Sequence, residues 1–261
     1  MKKLFDKSDV GFAVTFIILY VLGNSLGDRL SEAIGITKLV TSIFDLILVS
    51  VLLIFIQSSK LASYFGLCRP CCRARKYLFY APLLVLSTTN IWFGIRLNMS
   101  IFDSVCYFVS MLLVGFLEEL IFRGLLFKAM MKENTKSAII VGSILFGAGH
   151  IINLFNGSGI SLTSNIMQIA YATALGFLFV SIFYKSGSLR PCIVTHCTIN
   201  SLSTFANQPQ CERYMVQISL VTILISALYS AWIWRRTIDS RAINAHQYTG
   251  GITCPRHAKS K

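Results

Sequence analysis

Runs of about twenty apolar residues recur along this chain, and they limit its possible folds more than any other feature. Crossing a ~30 Å hydrocarbon core takes about 20 residues of helix. Inside that core the backbone must satisfy its own hydrogen bonds, which leaves helices or a closed barrel. The runs are continuous rather than alternating, so helices are selected. The spacing predicts spans at 10–27, 38–57, 77–95, 104–127, 137–153, 163–184, 191–207 and 214–234. The expected fold is therefore all-α, a polytopic transmembrane helical bundle of about eight spans. Charged residues make up only 13% of the 261 residues, about half the usual share, so there is no large soluble domain to find.

The formal net charge of +13 would point to nucleic acid in a soluble protein. Here the basic residues gather between spans on alternate sides, so no nucleic-acid partner is expected. One side holds nineteen lysines and arginines, including Lys2, Lys3, Lys7, Lys60, Arg73, Lys76, Lys132, Lys136, Lys185 and the tail from Arg235. The other holds four, Arg29, Lys38, Arg96 and Arg213, with Arg123 set aside within a span. The positive-inside rule places the heavy side in the cytoplasm, and an even span count puts both termini there.

The basic N-terminus and first apolar stretch resemble a signal peptide. Asp6 and Asp9 interrupt the flank, however, so a retained first span is expected. Cys68, Cys71 and Cys72 fall in a cytoplasmic loop where thiols stay reduced, so the eight cysteines do not read as a disulfide framework. The single C-x-x-C there lacks the second pair that a zinc site would need. The tail after Arg236 is polar and basic, with the composition of a loosely ordered segment.

Ionisable side chains at membrane depth cost about 2.5–3.5 kcal/mol each on insertion scales, so each needs a reason. The fourth span carries Glu118-Glu119-Leu120-Ile121-Phe122-Arg123. Glu119 and Arg123 are four apart in the favourable order for a helical ion pair. Glu118 lies about 100° around the helix and is left over. The fifth span ends Phe146-Gly147-Ala148-Gly149-His150, with small residues that let a neighbouring helix come close. The seventh carries His196 and Asn200, four apart on one face. Taken singly, these are a structural ion pair and interhelical hydrogen-bonding groups, and Asp45 in the second span reads the same way. Together, a spare carboxylate, two histidines and an asparagine are the parts for activating water and stabilising an oxyanion.

Glu118-Glu119-x-x-x-Arg123, Phe146-x-x-x-His150 and His196-x-x-x-Asn200 resemble, in order and spacing, the three motifs of the CAAX-protease and bacteriocin-processing (CPBP, or Abi) family of intramembrane endopeptidases. Gly176-Phe177-Leu178-Phe179 and Ser186-Gly187-Ser188-Leu189-Arg190-Pro191 are similar to their surroundings in that family. The resemblance covers roughly 104–207 and divides the chain into N-terminal spans and a cytoplasmic loop (1–103), a catalytic core (104–207), and a last span with a basic tail (208–261). It implies a peptidase acting on a membrane-associated peptide or protein: a CAAX-type substrate, a maturing peptide or bacteriocin, or a target in self-immunity. It also implies roles: Glu118 as general base, His150 holding the attacking water, His196 and Asn200 donating to the oxyanion, and Glu119–Arg123 bracing the helix. The N-terminal spans lie outside it and carry no readable functional signal.

Two chemistries stay open. Glu118, His150 and His196 would make a His₂Glu zinc set, but no H-E-x-x-H is present and the three lie on different helices, so no cofactor or tightly held metal is preferred. Two other functions also stay open, a non-enzymatic immunity or partner protein on the same scaffold and an ion-coupled transporter. The second would show internal repeats, which are not apparent. The expected location is the cell membrane, as a multi-pass protein among its lipids, in a bacterium the plasma membrane. One mismatch remains. Glu118 and His150 stand 14 residues, ~21 Å, from Lys132 and Lys136, whereas His196 is six residues, ~9 Å, from Arg190. Straight helices starting at one level would not bring the three together; a break at Gly124 with 125–132 along the interface would raise Glu118 toward the cytoplasm but leaves His150 unexplained.

Overall fold

In the computed structural model, which describes residues 1–71, 73–156 and 159–236, the chain is helical almost throughout. Cys72 and the basic tail, with His246 and His257, lie outside the described residues. Among the described residues six helices are long and apolar enough to cross a membrane. They are α1 (Asp9–Ile34), α2 (Leu39–Ser58), α4 (Ile101–Met131), α5 (Thr135–Gly149, continued as a 3₁₀ turn His150–Leu154), α6 (Leu162–Ser186) and α8 (Met215–Arg236). Their ends follow local chemistry. Ser8, Ser100, Asn134 and Ser161 accept from the backbone N–H three residues on, and so cap α1, α4, α5 and α6. Gly35 and Gly187 end α1 and α6 in left-handed conformation (φ 81° and 67°), which glycine adopts without strain.

The other two expected spans are shorter and broken. In 77–95, Leu78, Phe79 and Tyr80 take left-handed φ angles of 49°, 52° and 61°. A continuous helix cannot pass through them, and only the seven-residue α3 (Ala81–Ser87) and a 3₁₀ turn (Thr89–Ile91) follow. In 191–207, α7 (Arg190–Leu202) has 13 residues, a reach of about 20 Å. Backbone beyond a short helix must find partners within the protein. Asn90 donates to the Ile199 carbonyl at 2.6 Å, Asn98 to the Ala206 carbonyl at 2.8 Å, and the Arg96 N–H to the Phe205 carbonyl at 2.9 Å.

α6 packs against both α5 and α8, while α4 packs against α7 and α2, and α1 lies on α2 and the lower half of α4. Two glycines set the closest approaches. A Cβ at Gly147 would stand 2.0 Å from Thr173 Oγ1 and 2.8 Å from the Ile169 carbonyl oxygen, so α5 can meet α6 there only without a side chain. A Cβ at Gly115 would stand 2.8 Å from Cys197 Cα, which locks α4 to α7. Gly149, by contrast, faces open space. Leucines such as Leu22 and Leu224 point outward, as lipid-facing side chains do, whereas Leu117, Leu120 and Ile121 are wholly buried.

The break at Gly124 does not occur. α4 runs through it as a π-helical stretch, Glu119–Phe127, and resumes as α-helix over Lys128–Met131. Between Glu118 and His196 the mismatch is met by register instead. Gly124 faces Leu189 at the foot of α7, where its Cβ would stand 3.5 Å from Leu189 Cδ1. Higher up, Gly115 faces Cys197 in the same antiparallel pairing. The last two turns of α4 thus extend past the start of α7, and Glu118 and Glu119 come level with His196.

Candidate active site

α4 presents its two adjacent carboxylates in different directions, and each finds its own company. Glu119 is fully buried and its Oε1 takes two contacts, Arg123 Nη1 at 2.9 Å and His196 Nδ1 at 2.8 Å. The Arg123 contact is an ion pair without the alignment of a linear hydrogen bond. The guanidinium gains a further partner in the Phe146 ring, whose centroid is 3.8 Å from Cζ. Glu119 opposite Arg123 is an acceptor only, so its hydrogen bond with His196 requires a proton on Nδ1.

That proton fixes what the other face of the ring offers. His196 Nε2 points toward Glu118, 3.4 Å from Oε2. In the neutral ring Nε2 is an acceptor, and in the imidazolium it is a donor. Glu118 is not left over, as expected, because its Oε1 accepts a hydrogen bond from the Tyr20 hydroxyl at 2.8 Å. Tyr20 belongs to α1, so the N-terminal spans, read as silent, reach the site. Asp45, taken as a solitary structural acid, is wholly buried and accepts from the Asn24 amide at 2.9 Å.

Phe146 joins the second motif to the other two. Its ring stands edge-on to His150 at 5.7 Å and to His196 at 5.8 Å between centroids, and also meets Phe122. His150 begins the 3₁₀ turn that ends α5, and its carbonyl accepts from the wholly buried Asn165 amide at 2.8 Å. The ring lies within electrostatic range of Glu118, His196 and Arg123. Asn200 sits one turn beyond His196, half-buried, and its amide has no hydrogen-bond partner among the described residues.

Residues 100–202 match the family model described as Type II CAAX prenyl endopeptidase Rce1-like. They form a domain of that family. No curated protein and no solved structure matches the chain.

The Rce1-like domain holds Glu118, Glu119, Arg123, His150, His196 and Asn200, all six residues singled out from the motifs. The structure draws Glu118, Glu119, Arg123 and His196 into one contacting group, with His150 joined through Phe146 and Asn200 adjoining on α7. Among the described residues no three His, Cys, Asp or Glu side chains converge on one point. Tyr20, Asn24 and Asn165 were missed by sequence reasoning. Tyr20 and Asn24 did leave a signal, polar residues four apart on one face of an apolar span.

Proposed function

We propose that this protein is an intramembrane endopeptidase that hydrolyses a peptide bond in a membrane-associated peptide or protein, CAAX-type by its domain. The observation that carries the reading is the setting of Glu118: one carboxylate oxygen is held by Tyr20, and the other faces His196 Nε2 at 3.4 Å. Such a carboxylate can take a proton from water at a fixed oxygen, and general-base help of this kind contributes about 10²–10⁴ in rate.

In the step we assign, Oε2 of Glu118 accepts a proton from water as the water oxygen bonds to the substrate carbonyl carbon. The carbonyl becomes an oxyanion. Glu118 then returns the proton to the leaving nitrogen as the C–N bond breaks. His150 orients the water. Donation to the oxyanion falls to the Asn200 amide, which has no competing partner among the described residues, and to His196 when Nε2 carries a proton. Glu119 serves this step indirectly, because its hold on Nδ1 aims the ring. The test is cleavage of a prenylated CAAX peptide and an unmodified apolar peptide by the purified, detergent-solubilised protein, with products read by mass spectrometry. Intact peptides under all conditions would count decisively against a peptidase.

Removing one oxyanion donor elsewhere costs about 10²–10³ in rate, so Asn200→Ala should slow cleavage by that order. Asn200→Asp, which loses the donor, should do no better. An undiminished rate in Asn200→Ala would remove it from the oxyanion site. Metal content belongs in the same measurement. Stoichiometric zinc that disappears in His150→Ala and His196→Ala would replace the Glu118-activated water with a zinc-bound one.

The charge asymmetry supports a cell-membrane topology with both termini in the cytoplasm, and eight crossings if α3 and α7 with their flanking turns are counted. Reporter fusions at Lys76, Lys136, Lys185 and Arg236 should then read as cytoplasmic and one at Gly159 as external. An external reading at Arg236 would overturn this orientation.

A further inference from the structure

Tyr20 is buried on α1, far ahead of the Rce1-like domain, and its hydroxyl donates to the carboxylate of Glu118. The turn that carries it is held from behind. Asn24, one turn on, donates through a single amide nitrogen to the Tyr20 carbonyl at 3.1 Å and to Asp45 Oδ1 on α2 at 2.9 Å. Asp45 is wholly buried, so this anchor is sheltered from competing water. Gly23 beside it lies against the Phe44 ring, where a Cβ would come within 2.0 Å of the ring carbon Cζ. α1 and α2 therefore meet closely about one turn beyond Tyr20, and the Asn24–Asp45 hydrogen bond ties that turn of α1 to α2.

A glutamate side chain has several free torsions, and a carboxylate has two equivalent oxygens, so a base needs something to choose between them. His196 approaches one oxygen only. We propose that Tyr20 is a positioning residue for Glu118: its O–H occupies Oε1, fixes the carboxylate plane, and leaves Oε2 as the oxygen that meets the attacking water. This inference rests on the reading of Glu118 as general base. It assigns the N-terminal pair of spans the positioning of the base, delivered through the hydrogen-bonded series Asp45, Asn24, Tyr20 and Glu118.

Tyr20→Phe keeps the ring and removes only the hydroxyl, so it tests this contact with little change of packing. Hydrogen bonds to charged groups are the stronger kind, and losing one expressed in the transition state should lower kcat about tenfold to a hundredfold. KM, membrane level and melting temperature should stay close to wild type, a split that a purely structural role would not produce. The second arm uses Glu118→Asp, whose shorter side chain no longer reaches Tyr20. In that background the added Tyr20→Phe should have no further effect, since residues acting through one contact are not additive. Wild-type cleavage with an unimpaired Tyr20→Phe would overturn the inference and leave the peptidase reading standing. So would an equal slowing of wild type and of Glu118→Asp. A wild-type protein that cleaves neither the prenylated nor the unmodified peptide would sink both together.

Discussion

Glu118→Gln should abolish cleavage, by at least about 10³ in rate, while leaving the folded protein in the membrane at a near-normal level. The amide keeps the shape of the carboxylate, and its oxygen can still accept from the Tyr20 hydroxyl, so the contact at 2.8 Å survives. What is lost is the ability to take a proton, which is the whole contribution of a general base. Peptide turnover, immunoblotted membrane level and thermal melting of the solubilised protein separate the two effects. If the variant is lost from the membrane as fast as a charge-stranding one, Glu118 is a structural residue and the catalytic assignment falls.

The second large effect is on folding. Glu119 and Arg123 are 0% and 1% exposed, so Glu119→Ala or Arg123→Ala strands a charge in the protein interior. Breaking a buried pair from one side costs about 3–5 kcal/mol, against a typical total stability of about 5–15 kcal/mol. Replacing both partners by apolar residues of similar size is far milder. The double variant Glu119→Leu with Arg123→Met should therefore recover folded protein. It should not recover cleavage, because His196 Nδ1 would then have lost its acceptor at 2.8 Å. Melting temperature and turnover measured on the two single variants and the double decide the matter. Recovery of both quantities would show that Glu119 only braces the helix.

Much of the site was legible because helical periodicity is strict. The spacing of Glu119 and Arg123 fixes a shared face, and the structure pairs them at 2.9 Å. The same reasoning separated Glu118 from that pair. It failed to give Glu118 its partner, because Tyr20 is 98 residues away in the chain and no local period reports such a contact. Nor could it foresee that His196 would share the Glu119 oxygen with Arg123, since both ends of that contact depend on the register between α4 and α7. That register is set by Gly115 and Gly124, and a glycine announces a close approach without naming its partner. The spans followed a similar division. Six were readable from hydropathy, whereas 77–95 is apolar enough for a span yet breaks at three consecutive left-handed residues that hydropathy does not sense. Asp45 and Asn24 sit in apolar surroundings where each looks accidental until the two helices are set side by side.

The placement of the carboxylate partners also bears on how the protein can be made. A nascent chain enters the bilayer from its N-terminus, and domains assemble in that order. When the segment carrying Glu118 and Glu119 leaves the ribosome, Tyr20 is already in the membrane on α1, and Arg123 arrives within the same helix. His196, synthesised 77 residues after Glu119, completes the group last. Biogenesis therefore never has to hold either acid without company for long, and the histidine is free to be the late and adjustable member. A chain permuted to place α1 and α2 after α8 would meet the same contacts in its finished state, yet would have to insert Glu118 before its tyrosine existed.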